Sequence, residues 1–204
     1  MKQRLSRSMV VLLSSLALAC AADVEPDARL TAGAAQQSGA QAKTNPDAQL
    51  LVDFKSRVDK YMELRDRLKK DSPPLKETKD ASKLQASQDV LAAKIREARK
   101  DAQPGEIFTP EIRQLFRRLM YPELKGPEAD ETKTTIREEK PKGVALKINA
   151  TYPEDQPVTT MPPNILAALP KLPEDLEYRF VNNHMILRDT HANLIVDFVP
   201  NAIR

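Results

Sequence analysis

The sequence predicts an α+β protein. It has a long antiparallel helical hairpin and a short third helix on the N-terminal side, and a small antiparallel β-sheet of three or four strands on the C-terminal side. Three observations predict this. Residues 46–70 and 81–102 carry apolar positions at helical spacing, and the connection of about ten residues makes an antiparallel hairpin the default. Residues 176–199 alternate apolar and polar with the period of two that marks strands. The chain has 204 residues, 30% of them charged, only 4% aromatic, and no Trp, which suits one modest folded body plus tails.

The helical region spans 45–121. Asn45-Pro46 opens it, with Asn as N-cap and Pro at the first helical position. Leu51, Phe54, Val58, Tyr61 and Leu68 form one stripe, which Arg65 interrupts. On the opposite face, acids precede bases by four residues at Asp53–Arg57, Glu63–Arg67 and Asp66–Lys70. Asp71-Ser72-Pro73-Pro74 ends the helix. The second helix, 81–102, carries Leu84, Leu91, Ile95, Ala98 and Ala102, and Pro104-Gly105 closes it. Thr109-Pro110-Glu111 caps a third, short helix whose apolar face is Ile112, Leu115, Phe116 and Leu119. Residues 122–142 are charged and poor in apolar side chains, so they read as a surface linker with local structure around Ile136.

Residues 143–204 form the sheet region. Val144, Leu146, Ile148, Ala150 and Tyr152 alternate as a strand would, and Pro162-Pro163 opens a helical turn over 164–169. Asn182-Asn183 suits a two-residue type I′ hairpin turn, since Asn tolerates positive φ. That turn pairs Val181 with His184, Phe180 with Met185, Arg179 with Ile186, Tyr178 with Leu187, and Glu177 with Arg188. One face then carries Leu176, Tyr178, Phe180, Met185 and Leu187, and the other Glu177, Arg179, Ile186 and Arg188. Asn193 is the natural left-handed residue before the last strand. In that strand Leu194, Val196 and Phe198 are expected on one side, and Ile195 and Val199 on the other.

Residues 1–22 read as an export signal, with basic Lys2, Arg4 and Arg7, an apolar run Met9–Leu18, then small residues. The run is about half the roughly 20 residues of a transmembrane helix. Residues 23–44, rich in Ala, Gln, Gly and Ser, read as a disordered tether. The overall charge of +3 comes from the signal; without it 29 basic and 29 acidic residues remain. A neutral body has no electrostatic footprint for nucleic acid, and it meets a membrane only through an anchor. Cys20, the one cysteine, excludes an intramolecular disulfide. Leu16-Ala17-Leu18-Ala19-Cys20 resembles a bacterial lipoprotein signal, in which the cysteine is lipidated; the other reading is plain cleavage after Ala19, Ala21 or Ala22.

The C-terminal third, LPKLPEDLEYRFV, Asn182-Asn183, MILRD and LIVD, resembles a hairpin module of small exported bacterial proteins. These include periplasmic proteins of nickel/cobalt homeostasis. The span from Asn45 onward is similar to uncharacterised exported proteins of soil bacteria. The resemblance implies a periplasmic or membrane-anchored location and a structural module, and it implies little chemistry.

The chain carries no GxSxG, P-loop, GxGxxG or CxxC pattern, and five glycines leave little for a phosphate-cradling loop. His184, Asp189 and His191 flank the hairpin and are the candidate metal ligands, without HxH or HxxxH spacing. Asp189 and Asp197 are the acids within the strand block; Asp189 reads as a turn cap, and Asp197 as facing outward or bonding a neighbouring N–H. The stripe of Phe54, Tyr61 and Met62 either packs in the core or binds a partner. The expected function is a non-catalytic, cofactor-free envelope protein, exported to the periplasm or lipid-anchored, that binds a protein or surface. One alternative is a periplasmic chaperone: Phe108-Thr109-Pro110-Glu111 resembles that helical family, whose Leu-Thr-x-x-Gln motif is lacking here. Another alternative is a divalent-metal-binding protein.

Overall fold

Asn45 starts the first helix as its sequence position suggests: its side-chain oxygen accepts the Asp47 N–H at 3.0 Å. This helix, α1 (Pro46–Lys70), turns Phe54, Val58, Tyr61 and Arg65 inward. The structure, a computed structural model, describes residues 45–70, 80–138, 141, 143–153, 156 and 161–203, all within one compact unit. The expected signal, tether, Cys20 and the Asp71–Pro74 helix stop lie outside the described residues.

The second helix, α2 (Ala81–Ala98), is capped by Asp80 and stops four residues short of the expected Ala102. Arg99 is the reason. It leaves the helix at φ −116°, and its guanidinium reaches Glu106, Asn149 and the Val196 carbonyl at 3.1–3.2 Å. Only the C-terminal half of α2 is covered, through Leu91, Ala92 and Ile95. Leu84, expected on that stripe, is 45% exposed.

Helix α3 (Pro110–Met120) has the expected Thr109 cap and buries Ile112, Leu115 and Phe116. The expected linker contains a further helix, α4 (Ala129–Glu138). Ala129, Thr132 and Ile136 face inward at helical spacing, and Thr132 accepts a hydrogen bond from Asn164 at 3.1 Å. One large apolar residue in ten is too thin a stripe for composition to register. The proline-initiated turn forms as α5 (Pro163–Ala168).

Three antiparallel strands, β1 (Leu176–Val181), β2 (His184–Asp189) and β3 (Leu194–Val199), form a sheet in sequence order. The β1–β2 register matches the expected one at every pair. Asn182 (φ 55°) and Asn193 (φ 51°) are left-handed, but Asn183 is not among the positive-φ residues, so the turn departs from type I′.

The expected alternation of β3 fails after Val196. Leu187 pairs with Asp197 and Arg188 with Ile195, so a β-bulge places Val196 and Asp197 together opposite Leu187. A bulge adds one residue and reverses the side to which every later side chain points. Val199 therefore joins Leu194 and Val196 in the helix-facing core, and Phe198 packs with Ile195 on the other face. Asp197 points inward and is fully buried, which overturns its outward placement, while the other expectation, a bond to a neighbouring N–H, holds at Phe198.

The expected strand over 144–152 does not form. The chain turns at Lys147–Ala150, with Asn149 at φ 62°, and only its end lies along the outer edge of β3. There Asn149 and Tyr152 N–H groups donate to Ile195 and Asn193 carbonyls, and Ile195 N–H donates to Ala150, at 2.8–3.1 Å. Val144, Leu146 and Tyr152 still pack on Val181, Ile186 and Ile195, so the periodicity reported burial but not strand pairing.

The main core lies between the helices and the other sheet face. Phe54, Phe108, Phe116 and Tyr178 meet there with ring centroids 4.9–5.9 Å apart, joining α1, the α2–α3 loop, α3 and β1. Phe54 and Tyr61 are buried and Met62 packs on the same core, so that α1 stripe packs inward.

The bulge gives a direct test. Deleting Val196 takes out the extra residue, so β3 alternates regularly and Asp197, Phe198 and Val199 keep their faces and their β2 partners. The variant is expected to keep a cooperative thermal transition by circular dichroism, and to lose more than the about 1–3 kcal/mol that Val196→Ala loses in denaturant unfolding, because the Val196 carbonyl that Arg99 binds is removed with it.

Candidate functional site

Two buried carboxylates are the strongest polar features of the body. Asp189 closes β2 and is fully buried. Its Oδ1 accepts the His191 and Ala192 N–H groups at 2.9 and 2.7 Å, the expected turn cap. Its Oδ2 accepts the Tyr61 hydroxyl at 2.8 Å and Arg65 Nε at 2.9 Å. Arg65 is fully buried too, and its Nη1 also meets Asp175 at 2.8 Å and Asp66 at 3.1 Å. Burial pulls the guanidinium down, but Asp189 and Asp175 outweigh it and hold Arg65 above its ordinary value. Burial, and then the Asp189 charge, push the Tyr61 phenol well above its usual range.

Asp197 is bound by main chain. Its Oδ1 accepts from Gly105 and Phe198, and its Oδ2 from Ile107 and Phe108, at 2.8–3.0 Å. Gly105 sits at φ +104°, and a Cβ there would lie 3.0 Å from Arg113 Nη2, so this anion-binding loop needs glycine. A carboxylate has about four lone-pair sites. Each of these two makes four bonds, so neither has an acceptor position left for a substrate proton. Both act as joints, Asp189 between α1 and β2, and Asp197 between the α2–α3 loop and β3.

The metal candidates are not brought together. His184 opens β2 and Asp189 ends it, about 17 Å along the strand. His184 Nδ1 accepts the Asn201 N–H at 3.1 Å, and both Asp189 oxygens are occupied. Among the described residues no three His, Cys, Asp or Glu side chains converge as a metal site. No helix among them is long and apolar enough to cross a membrane.

The surface offers a different kind of site. An apolar groove of about 670 Å³ runs between α1 and the segment 168–173, lined by Leu51, Val52, Val58, Leu119, Leu169 and Leu172. Val52 is 70% exposed at its lip. The Lys55–Asp59 pair and Lys171 stand at its rim. A second cleft of about 470 Å³ between α1 and residues 98–107 is polar; Asp53–Arg57 pair along one wall and Arg99–Glu106 along the other, and Arg57 donates across it to the Glu106 carbonyl at 2.7 Å.

Comparison with protein-family models, curated proteins and solved structures finds no match to this chain. The groove escaped sequence reasoning because the segment 168–173 approaches α1 only through tertiary packing. Arg65 did leave a signal: it sits four residues after Tyr61 on the inward stripe, so a buried partner of opposite charge was required.

Two measurements test these assignments. Arg65→Met leaves Asp189 buried without its counter-charge and should cost about 3–5 kcal/mol in denaturant unfolding, while the double variant Arg65→Met/Asp189→Asn should recover part of that loss. The second test is pH. Partial burial lowers the pKa of His184 and of His191, and Lys69 and Arg65 add to the effect at His191. A folded pKa below the unfolded value makes the imidazoles' contribution complete above the ordinary value of about 6.5 and lost as pH falls through the folded pKa. The wild-type Tm should therefore drop more between neutral pH and pH about 5 than that of His184→Gln/His191→Gln; equal slopes would remove the assignment.

Proposed function

We propose that this chain is an exported, non-catalytic protein of the cell envelope that acts by binding another protein or a surface. One contrast carries the reading. The buried carboxylates spend all their acceptor sites on the fold, whereas the apolar groove beside Val52 lies open. Apolar clefts with a few charged groups at the rim are the usual form of a docking site. The basic start and apolar run of residues 1–22 support export, and Cys20 supports a lipid anchor. The neutral remainder supports a partner recognised by shape and apolar contact rather than by charge.

Two experiments test this reading. Palmitate labelling of the full chain in an exporting bacterial host should be lost in Cys20→Ser; unchanged labelling removes the anchor. Chemical cross-linking in the native envelope should join the wild-type chain to a partner and fail with Val52→Asp/Leu172→Asp. These positions are exposed or half-buried, so the variant's Tm should fall by only a few degrees. Equal cross-linking of both proteins rules the groove out as the binding surface.

A further inference from the structure

We propose that the groove between α1 and the segment 168–173 binds a long-chain carboxylate, with the alkyl chain against its floor and the head group beside Lys171. The inference rests on the reading of this groove as the binding surface and names the chemistry of its occupant.

The walls are open to a ligand. Val52 is 70% exposed, and Leu51, Leu119 and Leu172 are half-buried, so each keeps apolar surface that a ligand can cover. Phe54 and Val58 are buried beneath them and close the floor. The volume of about 670 Å³ lies within the range of small-molecule sites. From Leu51 to Asp59 the α1 wall runs about 12 Å, so an extended alkyl chain can lie along it.

The main chain decides against an extended peptide. Helix α1 satisfies its backbone along its own axis. Across the groove, Pro170 and Pro173 have no N–H, and their carbonyls already accept from the Tyr178 hydroxyl and the Leu176 N–H, each at 3.0 Å. A peptide strand laid here would find few partners for its own N–H and C=O groups, a cost that an alkyl chain does not incur.

Charge decides the head group. The charged side chains that line the groove are Lys55, Asp59 and Lys171. Lys55 holds Asp59 at 2.6 Å. Lys171 stands exposed on the opposite wall, and among the described residues no acid pairs with it. The groove therefore has an apolar floor and one uncommitted cation at its rim, the complement of an alkyl chain with a single anionic end. A groove of about 650 Å³ between β1 and α5 shares Lys171, but there Glu174 and Glu177 balance Lys171 and Arg179, so it has no net positive charge to offer.

The test is calorimetric titration of the full chain with dodecanoate, kept below the concentration at which it forms micelles. Saturable one-to-one binding is expected, and it should tighten about fourfold or more for every two carbons added from octanoate upward, because those methylenes leave water. Val52→Asp should weaken dodecanoate about tenfold or more. Lys171 is exposed, so Lys171→Glu should keep the fold; it should weaken dodecanoate about fivefold and strengthen dodecyltrimethylammonium, a reversal that unfolding does not produce. Binding that either substitution leaves unchanged overturns the proposal, as does tighter binding of dodecyltrimethylammonium than of dodecanoate by the wild type. If dodecanoate does not bind while cross-linking to an envelope partner still needs Val52 and Leu172, the carboxylate is overturned and the groove stands as a protein-docking surface.

Discussion

A guanidinium cannot be buried in an apolar core without a counter-charge, and Arg65 is buried completely. Its pairing with Asp189 therefore dictates where α1 must lie on the sheet. The two residues are 124 positions apart in sequence, and their 2.9 Å contact fixes both the rotation and the height of α1. Tyr61, one turn earlier, reaches the same carboxylate oxygen, so the helix is held at two points on one face. Once α1 is placed, Phe54 must meet Phe108 and Phe116, and those contacts bring α3 against it. An apolar stripe alone would permit the helix to slide by a turn; the ion pair does not.

The second constraint works on the sheet side. Asp197 could not serve as an anchor if β3 were regular, because strict alternation would aim it away from the helices. The bulge at Val196 reverses that, and the carboxylate then meets the amides of Gly105, Ile107 and Phe108. This contact holds Phe108 in the aromatic cluster. Arg99 reaches the carbonyl of Val196, the bulged residue, so the end of α2 and the irregular strand stabilise each other. Features that look like local faults, an early helix stop and a broken alternation, are thus two sides of one joint.

Much of this was legible in the sequence and some was not, for separable physical reasons. Local rules located α1, α3 and α5 and gave the β1–β2 register, because caps, prolines and a two-residue turn act within a few residues. They failed where partners are remote. The α2 boundary depends on Arg99 finding Asn149 and Glu106. The course of 144–152 depends on a left-handed Asn149 whose side chain is bonded to Arg99 at both its oxygen and its nitrogen. In α4 the helix stands on Ile136 and two small residues, a pattern that composition reads as a linker. At the candidate sites the local roles were legible and the remote ones were not: Asp189 caps its turn and Asp197 bonds the neighbouring Phe198 N–H as expected, whereas Arg65 was visible only as an interruption. Only the joining of Arg65 to Asp189 makes the interruption necessary.

The two interior carboxylates are saturated by the fold, and the two apolar grooves are ordered around the strap Pro170–Pro173. Both ends of this strap are fastened: the Tyr178 hydroxyl donates to the Pro170 carbonyl, and the Leu176 N–H to the Pro173 carbonyl, each at 3.0 Å. Two prolines fix φ at the same positions. The strap stands as a ridge between the α1 groove and the β1–α5 groove and lends Leu172 to both. Ordering a mobile segment costs about 1–2 kcal/mol per residue in backbone entropy, and a segment already held does not incur that cost on binding. The same core contact of Tyr178 that builds the sheet thus keeps both apolar surfaces in shape before anything docks on them.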